Sequence, residues 1–145
     1  LENERYDDVV TDVGDYFRLQ LAELSQVAGA VDATIVDPGV DLAKTPAQSL
    51  ELLRRAEEFD ELGVPVLMAI SRKDVIGVMT QSPPDERLAG TLAALGHLRR
   101  GGRRIFRLHD VAEARRYLMV TRHLDGFESL APDARLAAKL RRRRA

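Results

Sequence analysis

Three short apolar runs, Ala33 to Val36, Pro65 to Ile70 and Arg104 to Leu108, alternate with long stretches of helical periodicity, and this alternation constrains the fold more than any other feature. The first helical stretch spans Tyr6 to Ala28. Val9, Val10, Val13, Phe17, Leu21, Leu24 and Val27 recur there at spacings of three and four on one face, and Gly29 stands where a helix stops. The second starts at Thr45, a hydroxyl N-cap followed by Pro46 at the first helical position, and runs to Gly63 with Leu50, Leu53, Ala56, Phe59 and Leu62 facing inward. A loop is expected from Ser71 through Pro84, then a third helix over Pro84 to Leu98, closed by Gly101 and Gly102. A fourth covers Val111 to Leu124, entered through Asp110 as N-cap, with Ala114, Tyr117, Leu118 and Thr121 on a common face. The runs between them read as buried strands of a parallel sheet. Residues 1–126 are expected to form one domain. Beyond Gly126 the pattern weakens, and Pro132 separates off a basic tail, 127–145, helical or disordered.

Strands alternating with helices specify an α/β chain with parallel strands joined by helical crossovers. A doubly wound sheet and an eight-stranded β/α barrel both fit, and both gather ligands at the carboxyl ends of their strands. Here every strand ends in ionisable residues: Asp37 after the first, Arg72, Lys73 and Asp74 after the second, Arg107 and His109 at the third. Arg72, Lys73, Arg107 and His109 together would make a cationic mouth suited to a phosphate or pyrophosphate. Asp37 is either the acceptor for donor groups on a heterocycle or the turn former of an Asp-Pro-Gly corner. Ser71 to Lys73 is either a ligand loop or a solvated one, and His109 either a ligand contact or a packing residue.

Composition excludes several classes. With 45% apolar and 31% charged residues the chain has the balance of a globular protein, and its length of 145 residues suits one domain. No apolar run approaches the roughly 18 residues of a membrane span, and no signal-peptide pattern opens the chain, so a cytoplasmic location is expected. There is no cysteine, hence no disulfide or thiolate chemistry, and His97, His109 and His123 lack metal-ligand spacing. A net charge of −1 gives no global attraction to nucleic acid, although Lys139 to Arg144 is locally basic. Met68, Met79 and Met119 read as core fillers, and neither Gly90-Thr91 nor Gly101-Gly102 forms a phosphate-cradling fingerprint.

Taken in order, several segments resemble the dihydropteroate synthase family of pterin-binding β/α barrels. They are Tyr6-Asp7-Asp8-Val9-Val10, Ile35-Val36-Asp37-Pro38-Gly39, Lys44-Thr45-Pro46, Ser71-Arg72-Lys73, Gly90-Thr91-Leu92-Ala93-Ala94 and Arg107-Leu108-His109-Asp110-Val111. The resemblance covers residues 6–124 and starts after the family's fifth strand. It implies the C-terminal part of an eight-stranded barrel, three strands and four main helices, incomplete as given. The implied reaction is the condensation of 6-hydroxymethyl-dihydropterin pyrophosphate with 4-aminobenzoate for folate synthesis. The resemblance gives Asp37 the donor edge of the pterin, Lys73 its acceptor side, and Arg107 and His109 the departing pyrophosphate, with Arg72 lining the same mouth. Magnesium assists the leaving group in this family, but its usual ligand belongs to the first strand, outside this chain. The family commonly forms homodimers.

The departures are specific. Asp41, Leu42 and Ala43 stand where the family has Gly-Phe-Gly, so an aromatic wall beside the aminobenzoate is replaced by Leu42 next to a carboxylate, and Asp74 replaces the serine after the lysine. Both carboxylates would oppose an acidic substrate. Leu67-Met68-Ala69 with Lys73-Asp74-Val75 is closer to an actinobacterial paralogue branch described as inactive. Two other readings compete: an interaction module working through its basic tail, and a corrinoid-dependent methyltransferase of the same barrel group, which the Arg-Leu-His-Asp segment disfavours. By itself, this chain is expected to turn over no substrate.

Overall fold

The computed structural model describes residues 5–141, which form five α-helices and two β-strands. Helix α1 (Val9–Leu24) starts at Asp8, whose Oδ1 accepts the N–H groups of Val10 and Thr11 at 3.0 Å each. It is shorter than its periodicity suggests: turns and bends occupy the chain from Ser25 to Ala33, and the Thr34 hydroxyl donates back to the Ala30 carbonyl. The expected first strand shrinks to one parallel bridge, Val36 with Val66, the residues before it being taken up in turns.

Helix α2 (Pro46–Arg54) has the expected Thr45 cap, completed by Gln48 reaching back to the Thr45 N–H. Residues Ala56–Leu62 then tighten into 3-10 turns, whose three-residue period sends Ala56 and Phe59 into the core together. Strand β1 (Val66–Met68) pairs in parallel with β2 (Arg104–Phe106), Val66 opposite Arg104 and Met68 opposite Phe106. Between them lie α3 (Asp74–Thr80) and α4 (Leu88–Leu98). The stretch expected to be loop thus contains a helix, and the expected third helix begins as a 3-10 turn at Pro84–Glu86 before α4. Helix α5 (Val111–Leu124) has the predicted limits. After it the chain is exposed, with one 3-10 turn at Ala138–Leu140; Arg142 to Arg144 lie outside the described residues.

One apolar cluster holds these parts together. Leu52, Phe59, Val66, Met68, Ile70, Ile76 and Leu95 are all at most 1% exposed, and Phe17 of α1 meets Phe59 edge-on at 6.4 Å. Of the three methionines only Met68 fills the core; Met79 and Met119 are each 52% exposed. Helices α2 to α5 each pack against the next in chain order, around a parallel strand pair. Because Val36, β1 and β2 run the same way, Asp37, the Ala69–Asp74 segment and the Arg107–Asp110 segment all leave from one edge. No helix among the described residues is long and apolar enough to cross a membrane.

Candidate functional site

At that edge lies a cleft of about 380 Å³ walled by Ala69, Ser71, Lys73, Arg107, Leu108 and His109. Others are as large, one of about 400 Å³ between α1 and α2 and an apolar one of about 380 Å³ beside α2, α3 and α4. What sets the strand-end cleft apart is its chemistry. Arg107 leaves β2 with its backbone N–H on the Met68 carbonyl at 3.2 Å, and its guanidinium has no protein acceptor among the described residues. Lys73 sits in extended conformation just before α3 and gives one of its three ammonium hydrogens to the Val40 carbonyl at 2.7 Å. His109 is exposed and tied to Ser71 Oγ through both its backbone N–H, at 3.1 Å, and its ring Nδ1, at 2.9 Å.

Arg72 is absent from these walls. Its guanidinium makes a bidentate pair with Asp110, Nε to Oδ2 at 3.1 Å and Nη2 to Oδ1 at 2.7 Å. The pairing hydrogen bond holds the Asp110 carboxyl below the usual carboxylate range and raises the Arg72 guanidinium. Asp110 therefore stands at the N-cap position of α5 without capping it. Arg72 also has φ of 57°, the left-handed region, and is pinned there twice more. Its N–H donates to Thr91 Oγ1 at 3.1 Å, and its carbonyl accepts from Arg87 Nη1 at 2.9 Å. The effect is to aim the next residue, Lys73, along the edge.

Asp74 too stands apart from the cleft. It pairs with Arg87 Nη1 at 2.8 Å on a separate groove with Gly77 and Gln81, so it does not face the cations. Leu42 is 55% exposed on the turn after Gly39, outside the cleft. That turn is tied back to α3: Asp41 Oδ2 accepts the Val75 N–H at 3.2 Å, while Ser49 Oγ accepts the Asp41 N–H at 3.0 Å. Asp37 does form the Asp-Pro-Gly corner, its Oδ1 accepting the Gly39 N–H at 2.9 Å. Its second oxygen carries no protein hydrogen bond among the described residues, and the carboxylate is exposed at the shared edge without being a cleft wall.

A family model described as pterin binding enzyme matches residues 1–109. The chain belongs to this pterin-binding family. Similar members include the dihydropteroate synthase of Escherichia coli strain K12, 38% identical over 112 residues, which are 77% of this chain and 40% of that protein. Another is the inactive dihydropteroate synthase 2 of Mycobacterium tuberculosis strain H37Rv, 41% identical over 106 residues, 72% of this chain and 33% of that protein. Among solved structures, a Thermus thermophilus dihydropteroate synthase in complex with 6HMPPP superposes with a TM-score of 0.74 at 35% identity, covering 84% of this chain and 49% of that one. The Yersinia pestis dihydropteroate synthase gives 0.77 at 26% identity over 85% and 51%. The chain thus spans about 40% of the curated pterin-binding relative from E. coli.

Magnesium is a separate question for this family member. Among the described residues no group of three or more His, Asp or Glu side chains comes together that could hold a metal ion. Four residues that organise the edge escaped the sequence reading: Ser71 as the partner of His109, Asp110 as the partner of Arg72, and Thr91 with Arg87 as the clamp on residue 72. The one trace of them in the sequence is the hydroxyl of Thr91 within the mostly apolar α4, which the fold buries to 2% exposure but which names no partner.

Proposed function

We propose that the full-length protein binds a pterin pyrophosphate at this edge, as a dihydropteroate synthase-type transferase of folate biosynthesis. Asp37 would take the pterin's donor edge on its free oxygen, and Lys73 the acceptor side. In the transfer itself, Arg107 and His109 would grip the pyrophosphate as the aminobenzoate amine bonds to the pterin methylene and the carbon–oxygen bond breaks, the electron pair leaving with the phosphate oxygen and the amine proton going to water or the leaving group. Charge then grows on that oxygen, and fixed donors around it stabilise the transition state more than the ground state. The observation that carries the reading is the Arg107 guanidinium beside Lys73 and His109, without an acceptor among the described residues, whereas Arg72 is already paired with Asp110. The complex of the Thermus thermophilus relative with 6HMPPP supports the ligand class. A homodimer and a cytoplasmic setting accompany the proposal.

The second substrate separates two outcomes. Solved relatives bind 4-aminobenzoate, among them the Thermus thermophilus and Xanthomonas albilineans enzymes. In this chain Asp41 and Ala43 hold φ of 59° and 50°, values that suit glycine, and Asp41 is committed to the start of α3. The loss of the aromatic wall, with Leu42 in its place, motivates the reading that the protein keeps the pterin site and handles aminobenzoate poorly, and a 41% identical relative is named an inactive dihydropteroate synthase 2. Titrating the full-length protein with each substrate by calorimetry tests this. Tight binding of the pterin pyrophosphate with weak or no binding of aminobenzoate is expected; equally tight binding of both would defeat it.

A further inference from the structure

His109 is held at one end only. Its backbone N–H and its Nδ1 both meet Ser71 Oγ, while Nε2 has no protein partner among the described residues. Ser71 is 8% exposed although it walls the cleft, so little solvent reaches its hydroxyl and an acceptor inside the protein is the favoured partner for its single hydrogen. The serine oxygen already accepts the His109 N–H, and among the described residues Nδ1 is the acceptor within reach of that hydrogen. A proton on Nδ1 would remove that acceptor and leave the hydroxyl hydrogen only the cleft to turn towards. Asp110, which could otherwise draw such a proton, is engaged by Arg72 on both oxygens. Nδ1 is then the acceptor, and the ring proton sits on Nε2.

We infer that Ser71 is a positioning residue that fixes His109 in the Nε2–H tautomer, so that the neutral imidazole presents a hydrogen-bond donor to the strand-end cleft. The consequence for a ligand rests on the proposed pyrophosphate site. With Lys73 and Arg107 as the charged walls, a neutral donor adds a contact to an anionic oxygen without adding like charge. The opposite tautomer would aim a lone pair at that oxygen and repel it.

Nitrogen-15 spectra of the labelled full-length protein, recorded without ligand at a pH where imidazole is neutral, read the tautomer directly. One pyrrole-type Nε2 and one pyridine-type Nδ1 are expected for His109, with Nδ1 displaced upfield by the accepted hydrogen bond. S71A should abolish the displacement and weaken binding of inorganic pyrophosphate by about tenfold, and S71T, which keeps the hydroxyl, should restore both. A protonated Nδ1 in the wild type, an Nδ1 resonance unmoved in S71A, or unchanged pyrophosphate affinity in S71A overturns the assignment. The wild-type spectrum decides the tautomer even if S71A does not fold. An Nε2–H ring in a protein that binds no pyrophosphate would sink the proposed ligand and leave the tautomer standing.

Discussion

Arg72 carries a Cβ into left-handed backbone, which costs about 1–2 kcal/mol for an ordinary residue. Such a conformation persists where surrounding contacts over-determine it, and here Thr91, Arg87 and Asp110 hold the residue at its N–H, its carbonyl and its guanidinium. Read from sequence, Arg72 was an anion contact; folded, it is the pin that sets Lys73. No local pattern could have shown this, since Asp110 is 38 residues away along the chain. Carboxylates held this way make stability depend on acid. Asp8 is lowered from 3.8 to about 2, first by the Thr11 backbone hydrogen bond and then by Arg55, and Asp110 is lowered by Arg72. A depressed carboxyl contributes stability that is complete above its unfolded value and lost as pH falls through its folded value. Urea unfolding of the full-length protein followed between pH 4 and 2 should therefore show a steep loss that Asp8→Asn makes shallower. An unchanged slope in that variant would contradict the depressed Asp8 carboxyl that the Thr11 N–H and Arg55 together produce.

Helix α3 shows how an element can hide. Only Val75, Ile76 and Gly77 of its seven residues are buried, too few to print a stripe. Its N-terminus is capped by Asp41 from 34 residues earlier, where a reader of local signals finds no cap at all. Helix α5, by contrast, repeats its inward face over 14 residues and was legible to its ends. The strand-end logic was equally legible, because parallel pairing needs only the order of elements to bring Asp37, Lys73 and Arg107 to one edge. Glycines inside helices were not. A Cβ at Gly90 would fall within 3.0 Å of Ile76 Cγ2, so the residue is there to let α4 approach α3. Gly90→Ala should cost about 1–3 kcal/mol through overpacking, measured as a fall in Tm, and a Tm at or above wild type would mean that the two helices do not meet this closely.

At the scale of the molecule, apolar surface is left over. Ile35 is 51% exposed and Ile105 39%, on either side of the sheet, and Val111, Val120 and Leu124 of α5 are exposed by 57–80%. Open strand edges beside apolar side chains pair readily with other chains. The 145-residue chain expressed alone is expected to self-associate and to form no dihydropteroate; a monomer by sedimentation would contradict the first statement and detectable product the second. The cationic cleft itself is most directly tested by calorimetric titration of the full-length protein and its R107A and D74A variants with the pterin pyrophosphate. Binding that weakens by about tenfold or more in R107A, as loss of a charged hydrogen bond requires, and that is unchanged in D74A is the predicted result. Equal affinity in wild type and R107A, or an equal loss in D74A, would contradict it.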